Sequence, residues 1–333
     1  LSILAIDITI EKMKEQILLR KFLLLTLLFS LSCLNHLAWA KNQVAIPTSG
    51  TCDGLPRLPV ATLDGFCLGL VAQGFSFTRG VLPIDGNQVL VIDMGGWGER
   101  KGSLWRVYKG PVRYKKVLLL SGLDRPHAIV KSPRGLIYIA SVDKVSILDQ
   151  SSSTARLIDV IGGSSNIPPL PTAGRHPLKQ LVFDEKGNLL VNIGSASDNC
   201  EQSNKKKELK KVLCEEAEGI DQRGAIRKYH VKPDGSLNPQ WEVYASGLRN
   251  SMGLAFEPIK NTLWQVENAR DSISKHDPSL DDAALPHDEL NLIDQGANYG
   301  WPYCYDMGVS SPEYPNHDCK KYRRPEVLLP PHS

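Results

Sequence analysis

Beyond residue 40 the chain lacks any apolar run approaching the roughly eighteen residues needed to cross a bilayer, which excludes a membrane-spanning helix there. It lacks an excess of charge. Lys and Arg number 39 against 36 Asp and Glu, a formal net charge of +3. That charge falls by one when the first forty residues, with four basic and three acidic side chains, are set aside. Such a balance argues against nucleic acid or an anionic membrane as partner. The one basic run, KKKELKK at 205–211, reads as a solvated loop. No two cysteines stand at the two-to-four-residue spacing of zinc ligands, although His317 lies close to Cys319. Sustained helical periodicity is also missing, so a doubly wound α/β sheet is excluded.

What is present begins with an address. Met13 opens a short basic segment (Lys14, Arg20, Lys21), followed by an apolar run from Phe22 to Leu34 and the small-residue triplet Ala38-Trp39-Ala40. This pattern predicts a signal peptide within residues 1–40, with 1–12 preceding its start and cleavage after Ala40. The competing lipid anchor on Cys33 is disfavoured by Ser30, where an aliphatic residue is expected. The protein from residue 41 is thus expected to be periplasmic or secreted, with no membrane insertion after cleavage. Six cysteines remain, in neighbouring pairs: Cys52 and Cys67, Cys200 and Cys214, Cys304 and Cys319. In an exported chain this spacing favours three local disulfides among the fifteen possible connectivities.

A repeat follows. Short aliphatic strands flank polar turns near Gly86, Gly135, Gly187 and Asn261, at spacings of 49, 52 and 74 residues. DGNQVLVIDM with GSLWRVYKG, RGLIYIASV with KVSILD, KGNLLVNIGS with GAIRKYHVKPDG, and KNTLWQVEN with DELNLID form the downstream pairs. Ahead of each turn lies another pair: CLGLVAQG then TRGVLPI, VLLLSG then RPHAIVK, LIDVI then LKQLVFD, WEVYASG then NSMGLAFE. Four short strands recurring at about fifty residues predict an all-β chain of β-propeller blades. About four blades fit between residues 66 and 302, and VLLPPHS at 327–333 reads as the beginning of a fifth. A propeller must close its last blade on its first. The domain at 41–333 is therefore expected to be incomplete, its last blades lying further along the reading frame.

The segments GLRNSMGLAF at 247–256, DELNLI at 288–293 and GANYGWP at 296–302 carry a more specific signal. With GLDRPHAIV at 122–130, the stretch from His176 through NIGS at 192–195, and ASDNCEQ at 196–202, they resemble the quinoprotein glucose and sorbosone dehydrogenase family over about residues 60–333. The resemblance implies an exported six-bladed propeller holding pyrroloquinoline quinone and calcium on its axis. It would oxidise an aldose or sorbosone-like sugar and pass electrons to an external acceptor. By position it implies His176 as the base that takes a sugar hydroxyl proton, suited by an ordinary pKa near working pH. Arg249 matches the residue steadying negative charge on the quinone oxygen, with Asn250 beside it. Asn268, Ala269 and Arg270 stand where the family offers backbone carbonyls to the cofactor's calcium, and Asp288, Glu289 and Tyr299 match a further structural calcium site. His127, in the equivalent place of blade two, and Trp97, in the GGWGER loop, are candidate substrate contacts.

Three departures stand out. Nineteen residues after His176, where the glucose branch has an Asp orienting the base, this chain has Ser195, and Asp198 is the nearby substitute. Ala269-Arg270 replaces a Gly-Pro pair, and the Lys and Arg residues that grip the quinone carboxylates in the family's last blades are absent. Two other functions remain open at this stage: a calcium-dependent sugar lactonase propeller, and a binding propeller without catalysis.

Overall fold

A computed structural model describes residues 46, 48–201 and 213–331. The signal segment, Cys33 and the KKKELKK run lie outside the described residues. The chain divides into two compact units, one ending at Gly74 and one from Phe75 onward. In the first, β1 (Thr51–Cys52) and β2 (Leu55–Pro56) form a hairpin whose turn residues Asp53 and Gly54 both have positive φ. An Asp-Gly turn of this hand matches the twist of the strands it joins. Cys52 is bonded to Cys67 across it.

The second unit is a series of antiparallel four-stranded sheets. Blade one comprises β3 (Thr78–Asp85), β4 (Gln88–Asp93), β5 (Gly102–Lys109) and β6 (Tyr114–Leu123). Blade two comprises β7 (Ala128–Lys131), β8 (Ile137–Ala140), β9 (Val145–Asp149) and β10 (Arg156–Ile161). Blade three comprises β11 (Leu181–Phe183), β12 (Leu189–Ile193), β13 (Ala225–Val231) and β14 (Leu237–Ser246). Blade four comprises β15 (Ser251–Glu257), β16 (Thr262–Glu267), β17 (Asp288–Ile293) and, after the short hairpin β18 (Cys304–Tyr305) and β19 (Val309–Ser310), β20 (Val327–Leu329). The innermost strands adjoin in the order β3, β7, β11, β15. This is the propeller arrangement expected from the repeat.

Two expectations of strand grouping are corrected. VLLLSG, LIDVI and WEVYASG do not open a blade with the strand that follows. They are the outer strands β6, β10 and β14 of the preceding blade. Alternation alone cannot tell these assignments apart, because the long link from one blade's edge to the next blade's centre looks like any other polar turn. CLGLVAQG joins no blade, and Gly69 bridges Arg57 within the first unit. Likewise Val327–Leu329 does not begin a fifth blade but pairs with Asp288–Leu290 as the fourth strand of blade four.

Between blades the packing is continuous. The middle strand β12 is buried at all five positions, as expected for a sheet covered on both faces. Leu90, Ile92 and Leu104 meet Ile129 and Ile139 between blades one and two. Tyr138 meets Phe183 edge-on at 5.1 Å between blades two and three, and its hydroxyl donates to Gly235 O at 2.7 Å. Leu190, Ile226 and Ala245 meet Leu263 and Ile293 between blades three and four. The turns at Gly135 and Gly187 take positive φ, which glycine adopts without a Cβ clash; Asn261 does the same in blade four.

A satellite core lies beside blades three and four. The disulfides Cys200–Cys214 and Cys304–Cys319 pack with Trp301 and Tyr303. The one-turn helix α1 (Glu215–Glu218) closes it, and the Tyr303 hydroxyl donates to Glu218 at 2.5 Å while accepting from Cys214 N at 2.8 Å. All three local disulfides favoured by spacing are formed.

Two measurements probe this packing. Ile226→Ala, in a fully buried position, is expected to cost about 2–5 kcal/mol in urea unfolding, and Ile259→Ala, 90% exposed, less than about 0.5 kcal/mol. His127 donates from Nδ1 to Lys179 O at 3.2 Å, and burial lowers its pKa to about 4. The unfolded chain therefore takes up this proton first as pH falls. The contribution of His127 to stability is intact above pH 6.5 and lost as pH drops towards 4. A His127→Gln variant is expected to flatten that part of the stability curve by up to about 1.4 kcal/mol per pH unit.

Candidate active site between blades three and four

The segment 195–201, which follows β12, is the hub. Its first residue, Ser195, donates its backbone N–H to Arg249 O at 2.8 Å. Its hydroxyl donates to Ser197 O at 2.6 Å and lies 2.9 Å from His176 Nδ1, while Ser195 O lies 3.1 Å from the same nitrogen. A carbonyl oxygen can only accept, and the hydroxyl proton is already given away. Nδ1 of His176 therefore carries the hydrogen, and Nε2 keeps its lone pair. Burial, reinforced by the positive charge of Arg249, lowers the His176 pKa to about 3, so the ring is neutral at physiological pH.

Arg249, on the link from β14 to β15, is 4% exposed. Its Nε donates to Asp198 O at 3.1 Å and Nη2 to Asp198 Oδ1 at 2.5 Å. Nη1 donates to both Asn268 O, at 3.0 Å, and Ala269 O, at 2.7 Å. The Asp271 carboxylate stands 3.6 Å from Nη2. Four guanidinium N–H bonds to protein oxygens are thus formed, with the Asp271 carboxylate close by. Asp198 is also fixed: it accepts from Asp271 N at 3.0 Å, and its carbonyl accepts from Trp301 Nε1 at 3.0 Å. Asp198 does not take the orienting role expected of it. Ser195 orients His176, and the Asp198 carboxylate is committed to Arg249.

Next to this pair, Asn250 N donates to Glu267 Oε1 at 2.5 Å and Asn250 O accepts from Asn268 N at 3.1 Å. Asn250 Oδ1 is buried with no hydrogen-bond partner. Glu267 faces Glu289 across the β16–β17 pairing. Burial raises Glu267 to about 7 and Glu289 to about 8, the Glu267 charge adding to the second. Asn291 donates to Glu289 at 3.2 Å and to Gln265 at 3.0 Å. Ala269 N donates to Asp288 Oδ1 at 2.9 Å. The Arg270 side chain turns away to a buried pairing with Glu313, which also accepts from Asn199.

His176, Arg249, Asn250, Asn268 and Ala269 are therefore brought together. Asp288, Glu289 and Tyr299 are not brought to one point by their side chains. Consecutive strand residues 288 and 289 face opposite sides of the sheet. The Tyr299 hydroxyl is taken by Leu292 O at 2.6 Å and Asp294 N at 2.9 Å. His127 is buried against Lys179, and Trp97 projects 56% exposed from its loop. Lys179 was not singled out by sequence. It is 1% exposed, donates to Pro171 O and Pro177 O on either side of His176, and is lowered by burial to about 7. A lysine just ahead of an apolar strand gives no local sign of such burial. Glu267 was also missed, although its parity with Leu263 and Gln265 along β16 places it on the inward face.

The carbonyl oxygens of Asn268 and Ala269 converge on one cation, the Nη1 of Arg249, so as a donor set they suit a hard metal ion such as calcium. The partnerless Asn250 Oδ1 beside Arg249 suits a bound polar group such as pyrroloquinoline quinone.

Comparisons with known proteins bear on family and fold. A pyrroloquinoline quinone-dependent sugar dehydrogenase of Hypocrea jecorina is 24% identical over 270 residues, 75% of this chain and 57% of the relative. The aldose sugar dehydrogenase YliI of Escherichia coli is 29% identical over 138 residues, 41% of this chain and 31% of the relative. The chain thus spans little more than half the length of the first of these relatives and less of the second. Among solved structures, a Trichoderma reesei enzyme of carbohydrate-active family AA12 superposes with a TM-score of 0.59 at 20% identity, covering 88% of this chain and 74% of its own. The quinone-bound aldose sugar dehydrogenase of Streptomyces coelicolor gives a TM-score of 0.50 at 21% identity, over 78% and 70%. These two likenesses bear on the fold. The family profile described as Glucose / Sorbosone dehydrogenase matches residues 151–327, more than half of the 333-residue chain and the part that holds the whole network around Arg249, and the chain belongs to that family.

Proposed function

We propose that the protein is an exported quinoprotein dehydrogenase that oxidises an aldose or sorbosone-like sugar, using pyrroloquinoline quinone and calcium and handing the electrons to an external acceptor. The observation that carries this reading is the meeting of His176 and Arg249 through Ser195, with His176 Nε2 unprotonated. When bound, the quinone would supply the two-electron acceptor for the hydride leaving the sugar carbon. His176 Nε2 takes the hydroxyl proton as that hydride departs, its ring held in the correct tautomer by Ser195. Arg249 and Asn250 hold the polar edge of the cofactor, the former balancing negative charge that develops during transfer. The carbonyls of Asn268 and Ala269 supply oxygen ligands for the calcium. Export is supported by three disulfides, which persist in oxidising compartments.

In the protein supplied with pyrroloquinoline quinone and calcium, sugar-dependent dye reduction is the assay. His176→Gln is expected to lower kcat by about 10²–10⁴-fold while leaving quinone affinity within about twofold. Between pH 7 and 4 the activity is expected to show no loss from His176 protonation, since its pKa lies at about 3. Retained kcat in the variant, or hydrolysis of a sugar lactone with calcium alone, sinks this reading.

A further inference from the structure

Arg249 is fully engaged before any ligand arrives, and two of its partners are the oxygens assigned above to calcium. Both Nη1 hydrogens point at Asn268 O and Ala269 O, while Asp198 fixes Nε and one Nη2 hydrogen from the opposite side. Each carbonyl oxygen has two lone pairs, but a guanidinium nitrogen held by both oxygens and a metal ion held by the same two would be like charges side by side, and they repel.

We propose that Arg249 is an internal latch that occupies the Asn268 and Ala269 carbonyl cradle in place of a divalent cation, so that arrival of the cation releases its Nη1 for an incoming ligand. This rests on the calcium site of the proposed function. It adds an order of events. The cation comes first, and the freed arm of Arg249 then has hydrogens to offer a bound oxyanion, which in the latched state it does not. Asp198 serves as the pivot. Its bonds are to Nε and Nη2, so the guanidinium can give up Nη1 without losing its buried counter-ion.

The latch makes a quantitative demand. A competitor inside the protein lowers apparent cation affinity by the fraction of molecules whose cradle is open. If the two Nη1 bonds favour the closed form by as little as about 1.4 kcal/mol, removing them tightens binding tenfold. By reciprocity, the cation must loosen Arg249.

Terbium, a luminescent stand-in for calcium, is titrated into the full-length apo protein and read through sensitisation by Trp301, whose indole N–H donates to Asp198 O. Loss of the signal in Trp301→Phe assigns it to this site. Arg249→Gln is expected to bind terbium at least tenfold more tightly than the unmodified protein. Arg175→Gln removes a neighbouring charge, half-exposed beside Glu201 and Asp271, that does not touch the carbonyls. It is expected to change affinity by less than about twofold, twofold being a small shift on the scale of RT. In the unmodified protein calcium is expected to speed modification of Arg249 by phenylglyoxal, read by mass spectrometry. Should Arg249→Gln not fold, Arg249→Lys, which keeps the charge but loses the fork, is expected to bind severalfold more tightly. Equal affinity in the Arg249 variants and the unmodified protein overturns the latch and leaves the calcium site standing. An equal gain in Arg175→Gln, or slower modification with calcium, also overturns it. No Trp301-sensitised signal in any form overturns both the latch and the calcium site.

Discussion

The arrangement between blades three and four depends on one buried ion pair, Asp198 with Arg249, both side chains about 95% hidden from water. A lone guanidinium at that depth is untenable, and a lone carboxylate equally so. Together, with Nε and Nη1 of the guanidinium given carbonyls, they are tolerated, and their presence dictates what surrounds them. The carboxylate must be delivered by a segment that cannot drift. Glu216 accepts from Ala196 N at 2.5 Å and from the Ser197 hydroxyl, the Cys200–Cys214 disulfide ties the far end, and Trp301 holds the Asp198 carbonyl. The satellite core of disulfides and aromatic rings is thus a brace for the loop that carries the counter-ion.

Much of the fold was legible in sequence because blades obey a local rule. Short aliphatic strands and left-handed turns at Gly135, Gly187 and Asn261 recur without reference to anything distant. The nearest-neighbour cysteine pairs are local too, and they formed as spacing suggested. What failed was assignment at blade borders. VLLLSG pairs with the preceding strand and not the following one, and Val327–Leu329 completes blade four by joining a strand some forty positions earlier. Hydrophobic alternation carries no label for its partner.

The candidate site was legible only as separate motifs. His176 and Arg249 were named from a family resemblance, and Ser195 and Asp198 with them, yet which of these partners serves which residue was not readable. Asp198 is 51 positions from Arg249, and Glu313 is 114 from Asn199. Substituting Ser for Asp at 195 reads as a lost orienting group. In three dimensions the Ser195 carbonyl and hydroxyl both accept from the imidazole, so the tautomer survives without an adjacent charge. The consequence is a less basic His176, since a carboxylate partner would have favoured its protonated form. Asp288 and Glu289 show a related point: neighbours in a strand point to opposite faces, so adjacency in sequence does not by itself bring two side chains together.

The electrostatics of the region then follow from burial more than from charge. His176 is driven down and Glu267 and Glu289 are driven up, each towards its neutral form, while full charge is kept in buried pairs, Asp198 with Arg249 and Arg270 with Glu313. A site of that kind holds a proton acceptor that is unprotonated and carboxyls that titrate near neutrality, with buried guanidinium groups that already have carboxylate partners. An incoming anionic group therefore meets little net attraction until a second cation enters. The two carbonyls now held by Arg249 Nη1 are where such an ion would find ligands, which joins cation, guanidinium and imidazole in one balance. Cation cradle and guanidinium come from links within or between blades three and four and the imidazole from the link that enters blade three, while His127 and Trp97, from the earlier blades, stand outside it. Rigid, mutually packed sheets fix those links closely enough that exchanging one cation for another is a matter of one side chain and not of the fold.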